Sequence, residues 1–356
     1  MLDIKKRFRN QGVAPAFSSL EPKSFDSNAC QAKAPQRIPG LRNRWGFSFL
    51  GNESGGGAVL EQREGKPMQR INLSLGFTAL LLSAGVALAQ SDTAWNKSYP
   101  VSGQPNLVVS VGDSHLNIHS CQSCKEVRIT VTMENTSLSK YTLEESQSGD
   151  TIHFSLKEKT NFGLHADWHA KKVLVDVETP RELTLDASSS DGGLTASDLH
   201  GNLTIHTSDG SQDLEGVSGN LKLRASDGAL RLHNATGTLE ARTSDGSQEI
   251  SGSFSTLELQ SSDGSISVAL AEGSKLNAES RIESHDGSVT LKLPKSFQAD
   301  LAVSAHDGSI KSTLPLVVEG YNSNGNDGHE IHGKYNGGGS LLTIHTNDGS
   351  VHLSTM

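Results

Sequence analysis

From Leu107 onward the chain alternates apolar and polar positions with a period of two, and the dipeptide Asp-Gly interrupts the alternation at regular intervals. Apolar residues at every second position predict strands with one buried face. The dipeptide stands at Asp191-Gly192, Asp209-Gly210, Asp227-Gly228, Asp245-Gly246 and Asp263-Gly264, each 18 residues after the last. It continues with looser spacing at Asp286-Gly287, Asp307-Gly308 and Asp348-Gly349. Six residues upstream of the Asp come Leu185, Leu203, Leu221, Leu239, Leu257, Leu301 and Leu342; Ser280 alone breaks that column. Pairs such as Leu230/Leu232 and Ile266/Val268 follow it.

The buried parity changes across the dipeptide, from Leu221 and Leu223 to Leu230 and Leu232. A strand that slips by one residue turns every side chain to the other face, so the chain must bend there. Gly is expected to supply an unusual dihedral and Asp or the preceding Ser to bond the local backbone, which makes all eight Asp-Gly pairs structural turns. A second corner carries Gly201, Gly219 and Gly237. A unit this short cannot bury its face alone, whereas stacked copies can. The pattern therefore predicts an all-β chain, a single-stranded β-solenoid of about 18–23-residue coils over residues 183–356. Roughly nine or ten coils would make a rod on the order of 45 Å long, with the Asp348 coil at its end and a neighbour on one side only.

Residues 90–182 are also strand-like, at Leu107–Val111, His115–His119, Val127–Met133, Thr151–Leu156 and Val173–Val177. They read as irregular first coils or as a small β cap.

Composition agrees with a thin structure. Hydrophobic content is 34% and aromatic content 5%, too little large apolar volume for one thick core. Residues 1–67 hold 11 Lys and Arg against 6 Asp and Glu, and the remainder of the chain is acidic. An acidic body argues against a nucleic-acid or anionic-lipid partner, because phosphate binding needs a positive footprint.

Met68-Gln69-Arg70, the apolar run Ile71–Ala89 and the closing Ala87-Leu88-Ala89 have the form of a secretory signal peptide over residues 68–89. Cleavage there leaves Gln90 as the mature N-terminus. Residues 1–67 lack any period and read as a disordered leader, explained by a start placed too early. The other reading keeps that basic tail and makes the apolar run an uncleaved inner-membrane anchor. Either way the body is exported, to the periplasm or the cell surface.

Trp95 before a first strand pair, serial Thr-Ser-Asp-Gly-Ser coils, Val289–Pro294 and the closing segment Leu341–Val351 together resemble the bacterial "putative adhesin" β-strand-repeat family, a domain of unknown function. The resemblance covers about Leu107 to Leu353. It implies a solenoid and an envelope location, and it brings no catalytic residues.

Candidate chemistry is sparse. Stacked corner carboxylates about 4.8 Å apart repel by roughly 0.9 kcal/mol per pair in bulk water, so they are solvated, bonded to turn amides or bridged by Ca²⁺. Turn capping is the preferred reading. Cys121 and Cys124 close a Cys-Gln-Ser-Cys segment at a hairpin tip, which in an exported chain reads as a local disulfide. His115, His119 and Cys121 alternate along one strand face, so His115, His119, Cys121 and Cys124 are the less favoured metal candidates. The cluster His165, Asp167, Trp168, His169 reads as a solvated loop, and Cys30 falls in the leader. An enzyme on such a scaffold needs a non-repeating group of acids, or acids with Arg or Lys, on one strand face. Arg224, Arg231 and Arg242 fall near one another in successive coils but read as solvated edges.

The expectation is a non-catalytic envelope protein, adhesin-like or scaffold, without a cofactor, whose partner is a polysaccharide or a protein. The alternatives are a carbohydrate-active β-helix enzyme and a metal-responsive envelope protein.

Overall fold

The computed structural model describes residues 92–159, 170–323 and 329–356. The leader, the signal segment, Cys30 and the His165–His169 cluster lie outside these residues. The described chain is all-β, apart from one 3-10 turn at Leu138–Lys140. Seven strands come first: β1 (Ala94–Pro100), β2 (Asn106–Val111), β3 (His115–Cys121), β4 (Glu126–Glu134), β5 (Tyr141–Ser148), β6 (Thr151–Glu158) and β7 (Lys172–Pro180). The repeat follows as β8 (Glu182–Ser189), β9 (Leu194–Ser197), β10 (His200–Thr207), β11 (Gln212–Glu215), β12 (Ser218–Ala225), β13 (Leu230–Thr243), β14 (Gln248–Ser261), β15 (Ile266–Leu270), β16 (Ser280–Ser284) and β17 (Val289–Leu293). Then come β18 (Ala299–Ala305), β19 (Ile310–Ser312), β20 (Leu316–Ser323), β21 (His329–Tyr335), β22 (Leu341–Thr346) and β23 (Val351–Thr355).

Successive coils pair in parallel and in register. Leu203 lies beside Leu221, and Leu221 beside Leu239, so the 18-residue spacing becomes a column of buried leucines. Each fully buried Leu contributes roughly 1.5–3 kcal/mol, which is why a coil holds only between neighbours. The stack has two faces. The first runs β5-β6-β2-β8-β10-β12-β13-β14-β16-β22-β18-β21-β20, and the second β1-β4-β7-β3-β9-β11-β13-β14-β15-β17-β23-β19. Strands β13 and β14 pass round the second corner without a break and belong to both. Inside the Asp-Gly corner two coils carry the same polar pair. Gln212 Nε2 donates to Thr207 Oγ1 at 3.2 Å, and Gln248 Nε2 to Thr243 Oγ1 at 3.1 Å, all four residues being buried. In the coil between them Ala225 and Leu230 stand at the same two places.

The two glycine columns differ in their reasons. Gly201, Gly219 and Gly237 have φ of 138°, 113° and 123°, a region that favours glycine. The Asp-Gly glycines do not have positive φ, which corrects the expectation of an unusual dihedral there. They are glycines because the coils approach too closely for a side chain: a Cβ on Gly228 would overlap the carbonyl oxygen of Gly210.

Coil order also departs from expectation. Strand β22 pairs with β16 on one side and β18 on the other, while β23 lies between β17 and β19. The Asp348 coil is thus enclosed, and the earlier Asp307 coil lies outside it. Both ends of the stack change to antiparallel pairing, through β7–β4–β1 and β6–β5 at one end and β18–β21–β20 at the other.

In the N-terminal section, β2 and β3 form a coil in register with β8 and β9, so pairing is continuous across residue 182. Around it β1, β4, β5, β6 and β7 build a cap, with the Trp95 and Phe154 rings 5.5 Å apart. Among the described residues no helix is long and apolar enough to cross a membrane.

Candidate functional site

The corner edge carries the Asp row in the spatial order 191, 209, 227, 245, 263, 286, 348, 307, each exposed. Register adds Asp113 ahead of Asp191. The sequence hid it because the order there is Gly112-Asp113, with Ser114 in the glycine place. Burial, then the Asp191 and Glu158 carboxylates, raise the Asp113 pKa above the ordinary aspartate value. Asp209, Asp227, Asp245 and Asp263 make no side-chain bond among the described residues. The corners close through the main chain, as in Asp227 N to Ser208 O at 3.0 Å, and these four exposed carboxylates do not cap the turn. No group of three or more His, Cys, Asp or Glu could hold a metal among the described residues.

Two open clefts interrupt this edge on the first face. The larger, of about 720 Å³, opens where Gly112 leaves a gap beside Lys157, Ser190 and His206. Lys171 bonds Glu158 at its rim, which raises the lysine's pKa.

The second cleft, of about 460 Å³, lies across β13, β14, β16 and β22. Here the repeat is broken more than once. The chain between β15 and β16 has extra residues, and Ser280 replaces the column leucine. Its hydroxyl accepts from Leu257 N at 3.0 Å, a main-chain donor that the short β14–β16 ladder leaves over. Insertion of β22 then sets His345 beside Glu283 and brings Asn347 to His285.

The side chains around this cleft hold one another. Arg242 reaches Glu258 at 2.9 Å and Glu240 at 3.3 Å. Glu283 accepts from Arg281 at 2.7 Å and from Gln260 at 3.4 Å. His345 Nε2 lies 2.9 Å from Asn347 Oδ1, and its Nδ1 lies 2.8 Å from Ser304 Oγ. With both ring nitrogens engaged, the His345 ring is fixed. Arg224 stands beside Arg242 in register, but Arg231 is on the second face, bonded to Asp213 at 3.1 Å. The three arginines therefore do not form one group.

Cys121 and Cys124 are joined as a disulfide with Cα atoms 5.8 Å apart, which removes both thiolates as metal ligands. His119 Nδ1 lies 3.6 Å from Asp176 Oδ1, and His115 lies against Gly193.

The chain matches the model of the Toastrack DUF4097 family over residues 106–354. It is similar in structure to a "putative adhesin" from Parabacteroides merdae ATCC 43184, at 14% identity, with 74% of this chain and 97% of that one covered and a TM-score of 0.42. A second "putative adhesin", from Bacteroides fragilis NCTC 9343, is 9% identical over 75% of this chain and 98% of its own, with a TM-score of 0.34. A "putative lipid binding protein" from Parabacteroides distasonis ATCC 8503 is 11% identical, with coverage of 74% and 98% and a TM-score of 0.32. No curated protein matches the chain. With the family model spanning the stack from β2 to β23, the chain belongs to the Toastrack DUF4097 family, a domain of unknown function.

Proposed function

We propose that this chain is a non-catalytic, exported envelope protein, a β-solenoid that works as an adhesin-like contact surface for a polysaccharide or a protein. The observation that carries the reading is the outward face itself. Its polar side chains sit at fixed spacing and bond to one another across coils, as in Asn220 to Asn202 at 2.8 Å and Thr238 to Asn220 at 2.9 Å. Such a surface is rigid and presents hydrogen-bonding groups at coil intervals, which suits contact with a long, regular partner. Export rests on the signal-like segment at residues 68–89.

A second reading, a carbohydrate-active enzyme, is favoured by the grouping of Arg242, Glu283 and His285 around one cleft. A panel of envelope and extracellular polysaccharides separates the two. Retention without release of reducing ends is expected. Release that Glu283→Gln abolishes would overturn the non-catalytic reading.

A further inference from the structure

The cleft across β13, β14, β16 and β22 combines three features. The repeat departs from its own pattern there, at the threading of β22 beside β16. In stacked-repeat folds such departures are where local rules give way to a site. Arg242, Gln260, Glu283 and His345 share one register column yet differ in type. They are also oriented in advance, because Arg281 and Gln260 hold Glu283 while Ser304 and Asn347 hold His345.

The groups left over define the ligand. A carboxylate accepts hydrogen bonds on two oxygens, and Glu283 keeps acceptor capacity toward the cleft. Beside it in register His345 carries Asn347, whose amide reaches the His285 ring at 3.3 Å. An acceptor flanked by a planar amide donor one strand spacing away fits adjacent hydroxyl groups, one donating to the carboxylate and its neighbour accepting from the Asn347 amide. Charge narrows the class. Glu283 and Arg242 line the cleft. The groups paired with the lining residues are Glu240, Glu258, Asp286 and Arg281, three acids against one base, which disfavours a polyanion.

We propose that this cleft binds a neutral hexopyranose unit through two adjacent hydroxyls, held between Glu283 and the His345–Asn347–His285 group. The proposal rests on the reading of the chain as a contact surface and names where and what it contacts. No Phe, Tyr or Trp lines the cleft, so the sugar is held chiefly by hydrogen bonds. A single unit then binds weakly, and useful retention comes from several units of one polymer engaging together.

The test follows the imidazole NMR signals of the full chain during titration with glucose, galactose and mannose, with retention on immobilised neutral polysaccharide measured in parallel. His285 and His345 should shift saturably with at least one sugar, while His233, on the second face, stays still. Glu283→Gln should weaken that sugar at least about tenfold, the effect of losing a charged hydrogen-bond acceptor. His285 and His345 unmoved by all three sugars would overturn the site. If Glu283→Gln leaves polymer retention intact, the contact-surface reading stands and this cleft is not its site. Absence of any retention on neutral or charged polymers and on envelope protein would remove the broader reading as well.

Discussion

A side chain on Gly349 would run into the carbonyl oxygen of Gly287, although the two glycines belong to coils that are not consecutive in sequence. Gly308 meets Gly349 in the same way from the other side. Gly349→Val is therefore expected to cost a few kcal/mol, as much as Gly228→Val, because both coils are enclosed. Gly308→Val should cost less, since its coil is outermost on the second face and can lift away. Urea midpoints of the three variants decide this, and a Gly349→Val protein close to wild type would contradict the coil order.

The Thr207–Gln212 pair gives a sharper energetic test. Gln212→Leu strands the buried Thr207 hydroxyl and the Arg224 carbonyl that also accepts from Gln212, at an expected cost of about 1–3 kcal/mol. Adding Thr207→Ala reproduces the Ala225/Leu230 pair of the adjacent coil and should recover about 1 kcal/mol or more. A double-mutant cycle with additive terms would show that the two side chains do not depend on each other.

Asp113 predicts a pH effect of unusual sign. Burial and the nearby Asp191 raise its folded pKa, so the folded chain binds more protons than the unfolded one. Stability from this group is thus highest below the unfolded value near 3.8 and falls as pH rises through the window up to the raised folded value. Asp113→Asn should melt above wild type at about pH 7 and lose that advantage near about pH 3. A constant difference across pH would rule the carboxyl out as the cause. Asp227→Asn, at an exposed corner, should stay within about 0.5 kcal/mol.

The disulfide closes a very short loop. Reduction, or Cys121→Ser with Cys124→Ser, is expected to cost no more than about 2 kcal/mol, far below what a long crosslink would contribute. Thiol labelling of unfolded, unreduced protein should find both cysteines blocked. Two reactive thiols would mean that the bond does not form in the exported chain.

Much of the stack was legible in the sequence because one residue count governs both periodicity and pairing. An 18-residue offset aligns Leu203 with Leu221 and Leu239 whatever else the chain does. The order of the last coils was not legible. The Asp286, Asp307 and Asp348 coils carry the same alternation, so any of them satisfies the same neighbour, and periodicity is silent on which one does. The second cleft depends on that choice, since His345 reaches Glu283 only when β22 enters beside β16. The glycine corners were placed correctly but for the wrong physical reason at Asp-Gly, where proximity and not dihedral angle excludes a side chain. Asp113 was missed because its corner inverts the dipeptide.

The threading of β22 and β23 also sets a schedule. Strands β18 and β19 are made before the strands on which they dock, because they pair with β22 and β23 and with nothing earlier in the stack. Coils through β17 can assemble in the order of synthesis, one upon the next. The following stretch has to wait, undocked, until residues 341–355 arrive and close the gap. Docking of β22 and β23 therefore secures two coils at once, and a protease acting before it meets an unguarded segment.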